Sequence, residues 1–170
     1  MKKPLSNEYA QGYQKYFDLV PEGDYLDLLG QNAIETVRLF EEMPREKLDY
    51  RYAEDKWTVK DVFMHIIDTE RVFSYRALAA ARGDNVTQIY RMDENLYAKN
   101  VDVSHRSLQS LVSEFKAVRT STEQLFIHVT EDQSKLRCNI VTHPMTARAI
   151  GYFIIGHARH HLNVVKERYL

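Results

Sequence analysis

The sequence predicts an all-α protein, a four-helix bundle with a short N-terminal helix and a long connector between its second and third long helices. Four long segments repeat apolar residues every three or four positions, the spacing of helices that bury one face. None shows sustained strand-like alternation bounded by turn residues. At 170 residues and 44% hydrophobic, the chain has the size and apolar content of one ordinary core. No repeat, low-complexity tract or linker divides it, so a single domain over 1–170 is expected.

An aromatic set comes first: Tyr9, Tyr13, Tyr16 and Phe17 share one face of a short helix and are expected to lie as a lid on the core. The first long helix follows Pro21 and Gly23, with Asp24 as its cap. It aligns Leu26, Leu29, Ala33, Val37 and Phe40 and stops before Pro44. The second opens at Trp57-Thr58, where Thr58 caps and Asp61 three residues later completes a capping-box pattern. It runs to Gly83 with Val62, Ile66, Phe73 and Ala80 inward. The next 20 or so residues, from Gly83 to Val103, lack periodicity, and a connection of that length either crosses a bundle from end to end or covers a site. A crossover would set the second and third helices parallel. The third helix is expected from about Ser104 through Leu108, Leu111, Phe115, Val118 and Leu125. The fourth starts after Pro144, capped by Thr146, and aligns Ile150, Phe153, Ile154, His157, His161, Val164 and Val165.

Composition excludes several functions. With 23 basic against 24 acidic side chains, interleaved rather than gathered, the net charge of -1 gives no electrostatic footprint for nucleic acid. No window approaches the roughly 18 uncharged apolar residues of a membrane span, and with no targeting signal a cytoplasmic location is expected. Cys138 is the one cysteine, so neither an intrachain disulfide nor a multi-cysteine zinc site can form.

A metal site must therefore be built from histidine and carboxylate, and two helices offer histidines on inward faces. His157 and His161 stand four apart, projecting from one side of a helix about one turn apart, within a stripe that is otherwise apolar. Burying two imidazoles without partners would be costly; a shared ion is one remedy, and ordinary hydrogen bonds to core histidines are the other. His65, bracketed by Val62, Ile66 and Phe73, supplies a third ligand. Three protein ligands leave a position for water or substrate, the arrangement of a catalytic rather than a closed structural site. A carboxylate-bridged two-metal centre would need Glu-x-x-His on two helices, and no Glu lies three residues before any of these histidines. Ala158, not Glu, follows His157, so the zinc-protease pattern is missing, and no C-x-x-C-H run exists to attach haem. Asp61 and Asp68 flank His65 at helical spacing, either as partners for its second nitrogen or as surface charges. Arg71, Arg76, Asp93, Glu94 and Asn95 are candidate substrate contacts. His160 is expected to face solvent or stand behind the ligands, and His105, His128 and His143 to lie on the surface.

The segments W-T-V-K-D-V-F-M-H-I-I-D-T-E-R (57–71) and G-H-A-R-H-H-L (156–162) resemble those of the DinB/YfiT-like superfamily of metal-binding four-helix proteins, in order and spacing over nearly the whole chain. The resemblance implies an up-down-down-up bundle, often a homodimer, with His65, His157 and His161 holding one divalent ion, zinc or nickel. It also implies chemistry on a small molecule, since members include transferases and isomerases that use low-molecular-weight thiols such as bacillithiol or mycothiol. Many relatives carry an acidic residue after the first histidine of the pair; here Ala158 removes any proton-transfer role at that position. The expected activity is a thiol-dependent S-transfer to a small electrophile. The alternatives are a hydrolase that uses the ion to generate hydroxide near neutral pH, and a noncatalytic metal-binding stress-response protein.

Overall fold

The computed structural model describes residues 1–141 and 143–170. Two 3-10 turns, Ser6–Glu8 and Gln11–Tyr13, lead into the one-turn helix α1 (Gln14–Phe17). The long helices are α2 (Tyr25–Glu41), α3 (Val59–Ala81), α5 (Leu108–Ile127) and α7 (Ala147–Arg168), with the shorter α4 (Glu94–Asn100) and α6 (Glu131–Ser134) between them. A two-stranded antiparallel ribbon, β1 (Arg137–Cys138) and β2 (Met145–Thr146), precedes α7. Each strand is two residues long, too short to leave an alternating pattern, so the sequence gives no sign of it.

Caps set the starts of the long helices. The Asp24 carboxylate accepts from the backbone N–H of Leu26 and Asp27, and the Thr146 hydroxyl from Ala149. At α3 the box closes in both directions: Thr58 Oγ1 accepts from Asp61 N at 3.0 Å and Asp61 Oδ2 from Thr58 N at 2.8 Å. The cap of the third long helix falls three residues after the Ser104 expected to open it. Asp102 takes the Ser104 N–H into a local turn at 2.9 Å, and Ser107 caps instead, accepting from Ser110 N.

The directions of the helices follow from which residues meet. Tyr25 packs on Phe126 while Glu41 pairs with Lys116, so α2 and α5 are antiparallel. Tyr25 meets Tyr152 and Glu35 meets Arg159, so α2 and α7 run parallel. Phe63 lies on Phe115 and Glu70 binds Arg119, so α3 and α5 also run parallel. Phe73 stacks on Phe153 and His65 reaches His157, making α3 and α7 antiparallel. The order is up-down-down-up, and the connector carrying α4 returns the chain to the end where α3 began.

Between two apolar clusters lies a buried polar knot that no hydrophobic pattern announces. Arg119, 2% exposed, donates from Nε and Nη2 to both oxygens of Glu70, at 2.8 and 2.9 Å, and from Nη1 to the Leu29 carbonyl at 2.9 Å. Its Nη2 also reaches Asn32 Oδ1 at 3.1 Å. This corrects the inward face expected for α2. Asn32 and Thr36 are fully buried while Leu26 is exposed, because Asn32 meets Arg119 and the Thr36 hydroxyl is satisfied by the Asn32 carbonyl at 2.7 Å.

The N-terminal segment is fastened to α7. Arg148 donates to both Glu8 oxygens at 2.7 and 2.6 Å, and both side chains are buried. Further along, Gly156 lets the backbone at Tyr16 lie directly on the helix; a Cβ there would overlap the Tyr16 carbonyl oxygen. A backbone group cannot swing aside as a side-chain end can. Gly156→Ala is therefore expected to lower stability by about 2 kcal/mol, overpacking outweighing the helix propensity that alanine adds. Thermal unfolding checks the loss, and limited proteolysis of residues 1–20 checks that the segment has come away.

Candidate metal centre

His65 sits in the second turn of α3, and His157 and His161 sit one turn apart on α7. The antiparallel contact of these helices turns the three rings toward one another. Nε2 of His157 lies 3.1 Å from Nε2 of His65 and 3.1 Å from Nε2 of His161, and the three donor atoms all fall within 4.8 Å of each other. Each imidazole Nε2 carries either one hydrogen or one lone pair, so His157 cannot make two good hydrogen bonds from a single nitrogen. A shared cation suits the arrangement better. Nitrogens held about 2.0–2.1 Å from a tetrahedral zinc ion are themselves roughly 3.3 Å apart, close to the two 3.1 Å separations from His157. The residues present thus fit a divalent metal ion with three neutral nitrogen ligands.

Electrostatics favour the lone-pair form of all three. Burial pushes the His65 pKa down to about 4. Burial, reinforced by the neighbouring histidines, holds His157 and His161 well below the ordinary imidazole range. The rings are neutral at pH 7, as ligands must be. Without metal this carries a stability cost in acid: the unfolded chain takes up protons near pH 6.5, which folded His65 resists until about pH 4. Stability of the metal-free protein is expected to fall as pH drops through that window, by about 3 kcal/mol from His65 alone. Urea midpoints at pH 7 and pH 4.5 test this, with the smaller drop of His65→Asn isolating the histidine from the carboxylates.

The cluster opens into a pocket of about 390 Å³. Trp57 lies over His65 with ring centroids 4.7 Å apart, and its carbonyl accepts a 2.6 Å hydrogen bond from the Tyr169 hydroxyl, which fixes the turn before α3. Phe153 stacks on His157, while Tyr16 meets both His157 and His160. The aromatic N-terminal set is therefore divided. Phe17 is buried with Tyr9 stacked on it at 3.9 Å, the lid expected, whereas Tyr13 and Tyr16 line the pocket. The connector closes another side with Arg91, Met92 and Glu94.

Other candidates sort clearly. Among the described residues neither Asp61 nor Asp68 hydrogen-bonds to His65. Asp61 is committed to the capping box, and Asp68 lies 3.7 Å from Arg71, with burial raising its pKa. Arg71 is drawn to Glu114 at 2.6 Å, Asp93 caps α4, and Asn95 lies along a different hollow. Arg76 and Glu94 do line the metal pocket. So do His160 and His143; His143 is exposed, as expected, and its ring also meets Tyr13 edge-on. The ribbon delivers His143 to the pocket mouth, and a two-residue ribbon leaves no trace in hydropathy. Ala158, 1% exposed, lies in the core beside Leu162 and Val165, so the position after the first histidine faces away from the pocket.

An up-down-down-up bundle with a three-histidine cluster facing an open, aromatic-walled pocket defines a class of four-helix proteins with a built-in ligand cage. The chain belongs to the DinB superfamily, whose model matches residues 29–165. Among solved structures it is similar to YfiT from Bacillus subtilis, described as a probable metal-dependent hydrolase with an unusual four-helix bundle topology. That match has 17% identity and a TM-score of 0.76 and covers 98% of this chain and 90% of that one. A DinB-like protein of Bacillus subtilis, YjoA, matches at 16% identity and TM-score 0.61, over 86% and 90% of the two chains. A mycothiol-dependent maleylpyruvate isomerase matches at 12% identity and TM-score 0.65, over 86% of this chain and 61% of that one. A search of curated proteins by sequence finds no match. No helix among the described residues is long and apolar enough to cross a membrane.

Proposed function

We propose that the protein is a metal-dependent enzyme that transfers a low-molecular-weight thiol to a small electrophile, with His65, His157 and His161 holding one divalent ion, zinc or nickel. The observation that carries this is the convergence of three neutral imidazole nitrogens in a pocket where, among the described residues, no activated protein nucleophile stands. Cys138 is 1% exposed, burial raises its pKa, and it is not among the pocket-lining residues. The attacking group must therefore arrive from outside. When bound, the ion lowers the pKa of a coordinating thiol or water, and three uncharged ligands leave its charge undiminished.

The chain's own residues supply the rest. Trp57, Phe73 and Phe153 give the pocket an apolar wall that limits water around the reacting groups. Glu94, the carboxylate among the lining residues, is the acceptor for the thiol proton. In the transfer a sulfur–carbon bond forms as the bond from carbon to the leaving group breaks, and the leaving group departs with that electron pair. Ile34, 69% exposed beside Ala33 and Val37 on α2, offers a face for the homodimer that belongs to this reading.

A second reading, hydrolysis, draws on the same ion activating water, and the structural likeness to YfiT favours it. A panel of electrophiles and esters assayed on zinc- and nickel-loaded protein, with and without added thiol, separates the two. Thiol consumed in step with product is the expected result. Turnover indifferent to thiol would replace transfer with hydrolysis, and turnover unchanged after the metal is stripped would end both.

A further inference from the structure

Three arginines in this bundle are nearly sealed from solvent: Arg119 at 2%, Arg76 at 3% and Arg148 at 6% exposure. A buried cation is tolerated when an anion meets it, and two of the three obey this. Arg119 is forked onto Glu70, and Arg148 onto Glu8. No carboxylate among the described residues lies within ion-pair distance of Arg76. Its Nη2 donates to the Tyr90 carbonyl at 2.9 Å, its guanidinium lies 4.5 Å over the Phe73 ring, and its Nε is buried without any partner.

Arg76 also differs from the other two in lining the metal pocket. His65, Thr69, Phe73 and Arg76 follow one another at four-, four- and three-residue steps, so one face of α3 carries them in a row. From His65 to Arg76 the helix rises about 16 Å. Midway stands Thr69, also pocket-lining and 4% exposed, whose hydroxyl likewise has no partner. Arg91, the other arginine of the pocket, already faces Glu94 at 3.3 Å. The row thus reads as a ligating nitrogen, a free hydroxyl, an aromatic face and an unmatched guanidinium.

We infer that the pocket recognises a carboxylate-bearing small molecule, with Arg76 supplying the counter-charge for the carboxylate, Thr69 hydrogen-bonding a polar group between, and the reacting end at the histidine cluster. The planar fork of arginine matches the two oxygens of a carboxylate, and a ligand carboxylate completes the pairing that the fold provides for Arg119 and Arg148 but withholds from Arg76. This rests on the reading of the pocket as a substrate site, yet it makes a claim about binding that needs no turnover.

Trp57, the only tryptophan of the chain, lines the same pocket and reports occupancy by its fluorescence. Succinate, and its uncharged diamide as the control, would be titrated into metal-free and zinc-loaded protein. Succinate is expected to bind both forms, the diamide at least tenfold more weakly. Arg76→Met should weaken succinate at least tenfold and Thr69→Val about threefold, with Arg91→Met changing it less than Arg76→Met does. Should Arg76→Met lose its cooperative melt, Arg76→Gln decides in its place. Succinate binding unaltered by the Arg76 substitution overturns the inference, as does binding that appears only with zinc and ignores Arg76, or no binding by the wild type in either form. Absence of catalysis in the thiol assays would leave this result standing, and loss of the carboxylate site would leave thiol transfer standing.

Discussion

His157→Ala is expected to lower zinc affinity on the order of a thousandfold. Zinc bound by four ligands in small folded peptides gains about 10–16 kcal/mol, so one ligand accounts for roughly 3–4 kcal/mol, or two to three decades in the dissociation constant. His157 belongs at the upper end because its Nε2 is the one within 3.1 Å of both other ligand nitrogens; without it, His65 and His161 face each other across a gap. Competition against a chromophoric chelator at pH 7 measures the change. His160→Ala serves as the control, since His160 lines the pocket but stands outside the converging trio, and it should stay within about tenfold of the wild type. If the two variants bind zinc equally well, the histidine trio is not the metal site.

The second large effect is far from the metal. Glu70→Ala leaves the Arg119 guanidinium buried without an anion, hydrogen-bonded to the Leu29 carbonyl and Asn32 and lying over the Phe115 ring, and removing one member of a buried pair costs about 3–5 kcal/mol. Urea denaturation should show the midpoint falling with little change in slope. The double substitution Glu70→Leu with Arg119→Met should recover most of that loss, because an apolar pair of similar volume avoids desolvating two charges. A double variant as unstable as Glu70→Ala would mean that the knot matters through its hydrogen bonds to α2 rather than through its charge.

The parts of this molecule legible in the sequence are those whose chemistry is local. Thr58 and Asp61 announce the start of α3 because a capping box needs only residues three apart, and His157 and His161 share a face because helical geometry requires it. His65 became a partner of that pair through its place on an apolar face. What stayed hidden depends on distant residues meeting. Glu70 and Arg119 are 49 positions apart and look like ordinary surface charges; with their pairing the inward face of α2 takes in Asn32 and Thr36 and leaves Leu26 outside, while Leu29 and Phe40 stay buried. His143 and Tyr16 reach the pocket from opposite ends of the chain; His143 sits in no periodic segment, and the helical spacing of Tyr16 reads equally well as a lid on the core. The α4 helix could have been found: Asp93 caps it, with its carboxylate accepting from the N–H of Asn95 and Leu96, a signal outweighed by the missing apolar periodicity.

The three converging histidines all stand on α3 and α7, whereas Tyr13, Tyr16, Arg91, Glu94 and His143 come from the N-terminal segment, the connector and the ribbon. The cage is chassis and the surround is bodywork. Substitutions that refit the panels can therefore redirect which molecules enter while leaving the histidine trio untouched.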